Sequence, residues 1–279
     1  MEKILLVVNA EFPNHDTIEF ACYLANLTRS TLTGVFLENL AEDEVIVVRE
    51  EYAGKERNWE LDNNSDCYRE KHATIEKNIN LFISACEKHS LRYSIHTDTR
   101  DPLRETIEES RYADILIVDP AITFKRQNRN APGKFVASIL KDAQCPVIIA
   151  PQHFGGIDEI IFTYDGSKAS FFAIKQFAYL FPELDEKKVM VIHSDDTNEG
   201  VFMKNKKFRE WISNHYSSIG FERFQGNSDK ELPLKLSERK NAMIVRGGSD
   251  WSLISQLIRY NDSEALAASG SLPVFIANY

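Results

Sequence analysis

The chain of 279 residues repeats itself, and that repeat limits its fold more than any other feature. With Asn9 set against Asp165, Lys3-Ile4-Leu5 falls over Glu159-Ile160-Ile161. Without a gap, the stripe Ile18, Ala21, Cys22, Ala25 then falls over Ile174, Phe177, Ala178, Phe181. Both stripes recur at helical spacing, so two helices share one buried face. Toward the other end of each half, Val118 to Pro146 and Val245 to Pro273 are equally spaced, and Pro146-Val147-Ile148-Ile149-Ala150 matches Pro273-Val274-Phe275-Ile276-Ala277. A duplicated unit folds twice by the same rules, so a reading of either half constrains the other.

Strand and helix signals alternate within each copy. In the first, Lys3 to Val8, Thr31 to Leu37, Leu91 to Thr97, Ile115 to Val118 and Pro146 to Ala150 read as strands. Helices are expected along the Ile18 stripe, along Ile75, Ile79, Phe82, Ile83 and Cys86, and from Phe135 to Leu140. Asp101-Pro102 starts another, with Asp as the cap and Pro at the first helical position, where its missing amide costs nothing. In the second copy strands are expected at Ile160 to Phe162, Val189 to Ile192, Phe221 to Phe224, Ala242 to Val245 and Pro273 to Ala277. Helices are expected after Ser167, at 208–219 with Phe208, Trp211, Ile212 and Ile219 as a core face, at 232–237, and at 252–260 continuing through 264–268. Inner strands that are apolar on both faces, alternating with helices, indicate an α/β fold: two tandem doubly wound domains, each a five-stranded parallel sheet flanked by helices. Pro151 to Gly156 interrupts two strands and sets the boundary, giving domains at 1–152 and 153–279. The acidic stretch 38–66 accounts for most of the length difference between halves and reads as a surface excursion.

Composition excludes several functions. A net charge of −9 offers no broad basic face for nucleic acid or an anionic membrane. The N-terminus enters a strand directly, with no signal peptide pattern, and no apolar run approaches the ~20 residues of a membrane span. Four cysteines without a Cys-x-x-Cys spacing point to a reducing, cytoplasmic compartment. The seven histidines form no ligand pair, and neither a phosphate-binding Gly-Lys-Ser/Thr loop nor a nucleophile elbow is present.

The chemistry concentrates after the first and fourth strands of the second copy. From Asp158 to Ser170, a short apolar run breaks into Asp165-Gly166-Ser167 and then into a helix, a geometry that suits a phosphate or a nucleobase and equally suits a capped helix. Gly247-Gly248 forms a turn after the fourth strand, and His193 ends the second strand at the same sheet edge.

A duplicated five-stranded α/β unit with an Asp-x-Ser after the first strand, a Gly-rich turn after the fourth and a Pro-Val-apolar fifth strand resembles the universal stress protein family, here in tandem, over nearly the whole chain. The resemblance implies that Asp165 recognises adenine, and that Gly247 with a later Gly-Ser step would hold ribose and phosphates. The second glycine of the turn is replaced by Asp250, and Tyr260-Asn261 stands at the Gly-Ser step, so Gly248, Ser249, Asn261 and Ser263 are the substitute contacts. The candidate set is therefore Asp165, Gly166, Ser167, His193, Gly247, Gly248, Ser249, Asn261 and Ser263, with ATP or another adenine nucleotide as ligand in the second domain only. The first half carries Asn9-Ala10-Glu11 and Asp119-Pro120-Ala121-Ile122 at the matching places and keeps only Gly133. The resemblance also implies a pseudo-dimer of the two domains joined through their fifth strands, a homodimer as a further assembly, and a binding or signalling role in stress response. Two alternatives stay open: an enzyme of the same fold that hydrolyses ATP or transfers adenylyl, and an interaction protein with both sites lost.

Overall fold

A computed structural model describes residues 1–38, 66–98, 101–122, 124, 134–194, 206–224, 232, 236, 239–248 and 272–278. The first half supplies β1 (Lys3–Asn9), α1 (His15–Thr28), β2 (Thr31–Leu37), α2 (Asp66–Lys88), β3 (Tyr93–Asp98), α3 (Pro102–Ser110), β4 (Ile115–Val118), α4 (Lys134–Asp142) and β5 (Val147–Ile149). The second supplies β6 (Glu159–Tyr164), α5 (Lys168–Leu180), β7 (Lys188–Ser194), α6 (Lys206–Ser213), β8 (Ile219–Phe224), β9 (Ala242–Gly247) and β10 (Val274–Ala277).

The strands form one ten-stranded sheet in the order β3-β2-β1-β4-β5-β10-β9-β6-β7-β8. Every pairing within a half is parallel. Among the described residues the one antiparallel pairing joins β5 to β10, with Val274 opposite Ile149, Phe275 opposite Ile148 and Ile276 opposite Val147. The two five-stranded sheets thus run together through their fifth strands, the strands that the resemblance implied would pair. Pairing them satisfies backbone groups on two edges that would otherwise stay open.

Side chains alternate across the sheet. Ile4, Leu6 and Val8 join a core with residues of α1, α2, α5 and α6, while Leu5 and Val7 join a second core with Val136, Ile139 and Leu140 of α4. Each buried Ile, Leu or Phe contributes about 1.5–3 kcal/mol by leaving water, which is why the central strands read as unbroken apolar runs. Phe275 lies under the seam between Phe177 and Phe181, at ring distances of 5.3 and 6.2 Å.

The connection between halves is packed down. Phe154 lies edge-on to Phe20 at 4.9 Å and against Tyr23 at 4.7 Å, His153 Nδ1 meets Asp16 Oδ2 at 3.1 Å, and Ile157 is buried. The helix expected over 208–219 ends at Ser213: the amides of Asn214 and His215 bond back to the carbonyls of Trp211 and Ile212, closing a tight last turn, and Ile219 instead opens β8. The acidic stretch 38–66 and the helices expected at 232–237, 252–260 and 264–268 lie wholly or mostly outside the described residues. Among the described residues no helix is long and apolar enough to cross a membrane, and no cluster of three or more His, Cys, Asp or Glu is placed to hold a metal.

Candidate functional site

The sheet edge at the C-terminal ends of β6, β7 and β9 gathers Asp165, Gly166, Ser167, His193 and Gly247 of the candidate residues. Beyond Tyr164, the last residue of β6, Asp165 folds its carboxylate onto the following turn: Oδ1 accepts from the Ser167 amide at 2.8 Å and from Ser170 Oγ at 2.6 Å. Ser167 caps α5 by accepting from the Ser170 amide at 3.1 Å. Between them Gly166 takes φ +81°, a left-handed conformation for which glycine carries no steric cost, and open space stands where its Cβ would be. Partial burial pushes the Asp165 carboxyl up, but the hydrogen bonds from Ser167 and Ser170 together outweigh it and hold the group below the usual aspartate value. An exposed, ionised carboxylate thus stands at the N-terminal end of α5, which is also where the helix dipole favours negative charge.

His193 sits one strand over, opposite Tyr164 in the register of β6 and β7. It is buried, and its Nδ1 lies 3.2 Å from the Tyr164 carbonyl, which fixes that nitrogen as the donor. The Tyr164 ring in turn stacks on Phe208 of α6 at 4.3 Å, nearly parallel, and Phe171 of α5 packs edge-on to both Phe208 and Trp211. These rings belong to the core beneath the turn, where Tyr164 and Phe208 are buried. Phe208 and Trp211 take up the core face that their helical spacing predicts.

The two glycines after β9 meet different neighbours. A Cβ on Gly247 would stand 2.7 Å from the carbonyl carbon of Ala169 and 2.9 Å from the Ser170 nitrogen, so β9 runs into the backbone of the first turn of α5. Gly248 donates its amide to Ala277, and its missing side chain makes room for Asn278, whose Nδ2 donates to the Leu140 carbonyl at 2.6 Å. Asp165, Ser167 and Gly247 therefore come together around one helix N-terminus, while Gly248 turns toward the seam and α4. Both glycines have packing reasons of their own. Ser249, Asn261 and Ser263 lie outside the described residues.

In the first half the matching edge is filled by the chain itself. Asn9 Oδ1 accepts from the amides of Glu11 and Phe12 at 3.0 and 3.1 Å, and Asn78 of α2 donates to the carbonyls of Ala10 and Glu11 at 2.8 and 3.1 Å. Lys71 adds an ion pair to Glu11 at 3.6 Å. Asn14 caps α1 and also bonds the side chain of Asp119, whose carboxyl is pushed up by burial against the lowering effect of the Ala121 amide. Gly133 lies outside the described residues.

No protein-family model and no curated protein matches the chain. Its fold is that of solved universal stress proteins. One from Archaeoglobus fulgidus DSM 4304 aligns with a TM-score of 0.66 over 99% of this chain and 98% of its own, at 16% identity. A protein from Pseudomonas aeruginosa UCBPP-PA14, provisionally assigned to the same family, aligns at 0.58 over 100% of this chain and 93% of its own, at 12% identity. A protein of unknown function from Pseudomonas aeruginosa PAO1 aligns at 0.56, covering 100% and 92%, also at 12% identity. At such identities the likeness is one of fold.

Proposed function

We propose that this chain is a tandem universal stress protein, a binding or signalling module of the stress response. Its domains are residues 1–152 and 153–279, and an adenine-nucleotide site lies in the second. The observation that carries this reading is the contrast between the two copies of one turn. After β6, Gly166 faces open space and the Asp165 carboxylate is exposed at a helix N-terminus. After β1, Asn78 and Lys71 of α2 tie down the same loop, and the half-buried Asp119 stands where phosphates would meet like charge. Free thiols at Cys22, Cys86 and Cys145 support a cytoplasmic setting.

A melting scan with ATP and with AMP, each with and without Mg²⁺, tests the proposal. A ligand that binds only the folded chain stabilises it by about 2.7 kcal/mol at a hundred times its Kd. The melting temperature should rise with nucleotide concentration, the rise should vanish in Asp165→Ala, and it should persist in Asn9→Ala. ATP turnover abolished by Asp165→Ala would move the reading to an enzyme of this fold. The packing roles of Gly247 and Gly248 favour a second reading, an interaction protein without a nucleotide, and no shift with either nucleotide would establish it in place of the first.

A further inference from the structure

Two of the four cysteines face each other inside the first half. Cys22 is on α1 and Cys86 on α2; both are fully buried, both belong to the same apolar core, and the two thiols share a hydrogen bond. A buried thiol packs as a small apolar group, and both positions lie among apolar neighbours of one core. The helices that carry them are braced one turn away, on one side of the pair. Glu19, a turn before Cys22, reaches His89 Nε2, a turn after Cys86, at 2.9 Å, and Lys88 Nζ at 3.2 Å. This brace is half-exposed, so the thiols lie one helical turn beneath a surface ion pair.

We infer that Cys22 and Cys86 form a redox-modification site, closing under peroxide into a disulfide that staples α1 to α2. The hydrogen bond from Cys22 lowers Cys86 against the opposing effect of burial, and the steps are written with Cys86 ionising first; they balance equally with the two sulfurs exchanged. In the first step the Cys86 thiolate attacks one oxygen of hydrogen peroxide, the O–O bond breaks, and sulfenic acid and hydroxide form; the hydroxide takes up the proton that Cys86 lost and becomes water. In the second step Cys22 sulfur attacks the sulfenic sulfur, the S–O bond breaks, the S–S bond forms, and the Cys22 proton leaves with the hydroxyl as a second water. Two thiols are oxidised by two electrons and one peroxide is reduced to two waters. Access requires the Glu19–His89–Lys88 brace to open, so the reaction is gated by local motion at the surface.

The consequence is local. The staple fixes α2 against α1, and α2 is the helix that holds the loop after β1 through Asn78 and Lys71. Reduction by a small thiol reverses it.

The test uses the full chain, folded, treated with hydrogen peroxide, then unfolded, alkylated and digested for mass spectrometry. A Cys22–Cys86 cross-linked peptide should appear, reversed by dithiothreitol, with Cys67 and Cys145 still alkylated, and the oxidised chain should melt at a higher temperature than the reduced one. In Cys22→Ala the same treatment should leave Cys86 as an adduct or higher oxide and the melting temperature should not rise. Cys145→Ser should behave as the parent. Absence of the Cys22–Cys86 peptide at a peroxide dose that fully oxidises the urea-unfolded chain overturns the inference, as does a cross-link that instead joins Cys67 or Cys145.

Discussion

Gly247, at the end of β9, lies so close to Ala169 in the first turn of α5 that a Cβ on the glycine would stand 2.7 Å from the alanine carbonyl carbon. The neighbours are backbone atoms, which cannot rotate aside. Overpacking of this kind costs about 1–3 kcal/mol, and here the upper end applies because a helix would have to shift from the sheet. Gly247→Ala should lower the urea midpoint accordingly; a midpoint within error of the parent would mean that the approach is not a constraint.

Gly248 invites a different outcome from the same substitution. Its Cβ would collide with Asn278 Oδ1, the far end of a side chain that can swing away. Swinging away breaks the bond from Asn278 Nδ2 to the Leu140 carbonyl, one of the last-turn carbonyls of α4 that lack a helical partner. Gly248→Ala should therefore cost about 1 kcal/mol, the usual net worth of such a bond. Asn278→Ala should cost a similar amount, and the pair together little more than either alone. Full additivity in the double-mutant cycle would break the proposed link.

Asp165 gives a pH dependence whose sign can be worked out. Its carboxyl is held below the ordinary aspartate range in the folded chain, so the unfolded chain binds the proton more readily. The stability it contributes is present above the unfolded value of about 3.9 and is lost as pH falls through the lower folded value. Replacing Asp165 with Asn keeps an acceptor for Ser167 and Ser170 but removes the titration. Acid unfolding followed by circular dichroism should then show a shallower loss of stability below that range than in the parent; an unchanged slope would assign the acid sensitivity elsewhere.

Much of this architecture was legible in the residues because the forces that set it act over short stretches of chain. Thr31 to Leu37, rich in β-branched and aromatic residues, and Ile115 to Val118, apolar throughout, are strands at the expected ends, each buried on both faces. Asp101 caps α3 with its carboxylate on the amides of Leu103 and Arg104, and Pro102 opens the helix, as that dipeptide implies. Ile219 opens a strand and does not end a helix: its apolar character fits a helix face and an edge strand equally well, and only the tight turn after Ser213 separates the two.

What the sequence alone determined is the repeat, the alternation of strand and helix, the helix starts at Asp101-Pro102 and after Ser167, and the Asp-Gly-Ser turn at the end of β6. Only the tertiary structure decided what fills the space around those features. It placed Phe154 on Phe20 and Tyr23, Asn78 on the loop after β1, Cys22 beside Cys86, and Asn278 over Gly248. Each of these joins residues far apart along the chain. Their meeting depends on sheet register and helix docking, and hydrophobic periodicity carries neither, because a pattern of buried and exposed positions records which face of an element is covered and is silent on what covers it.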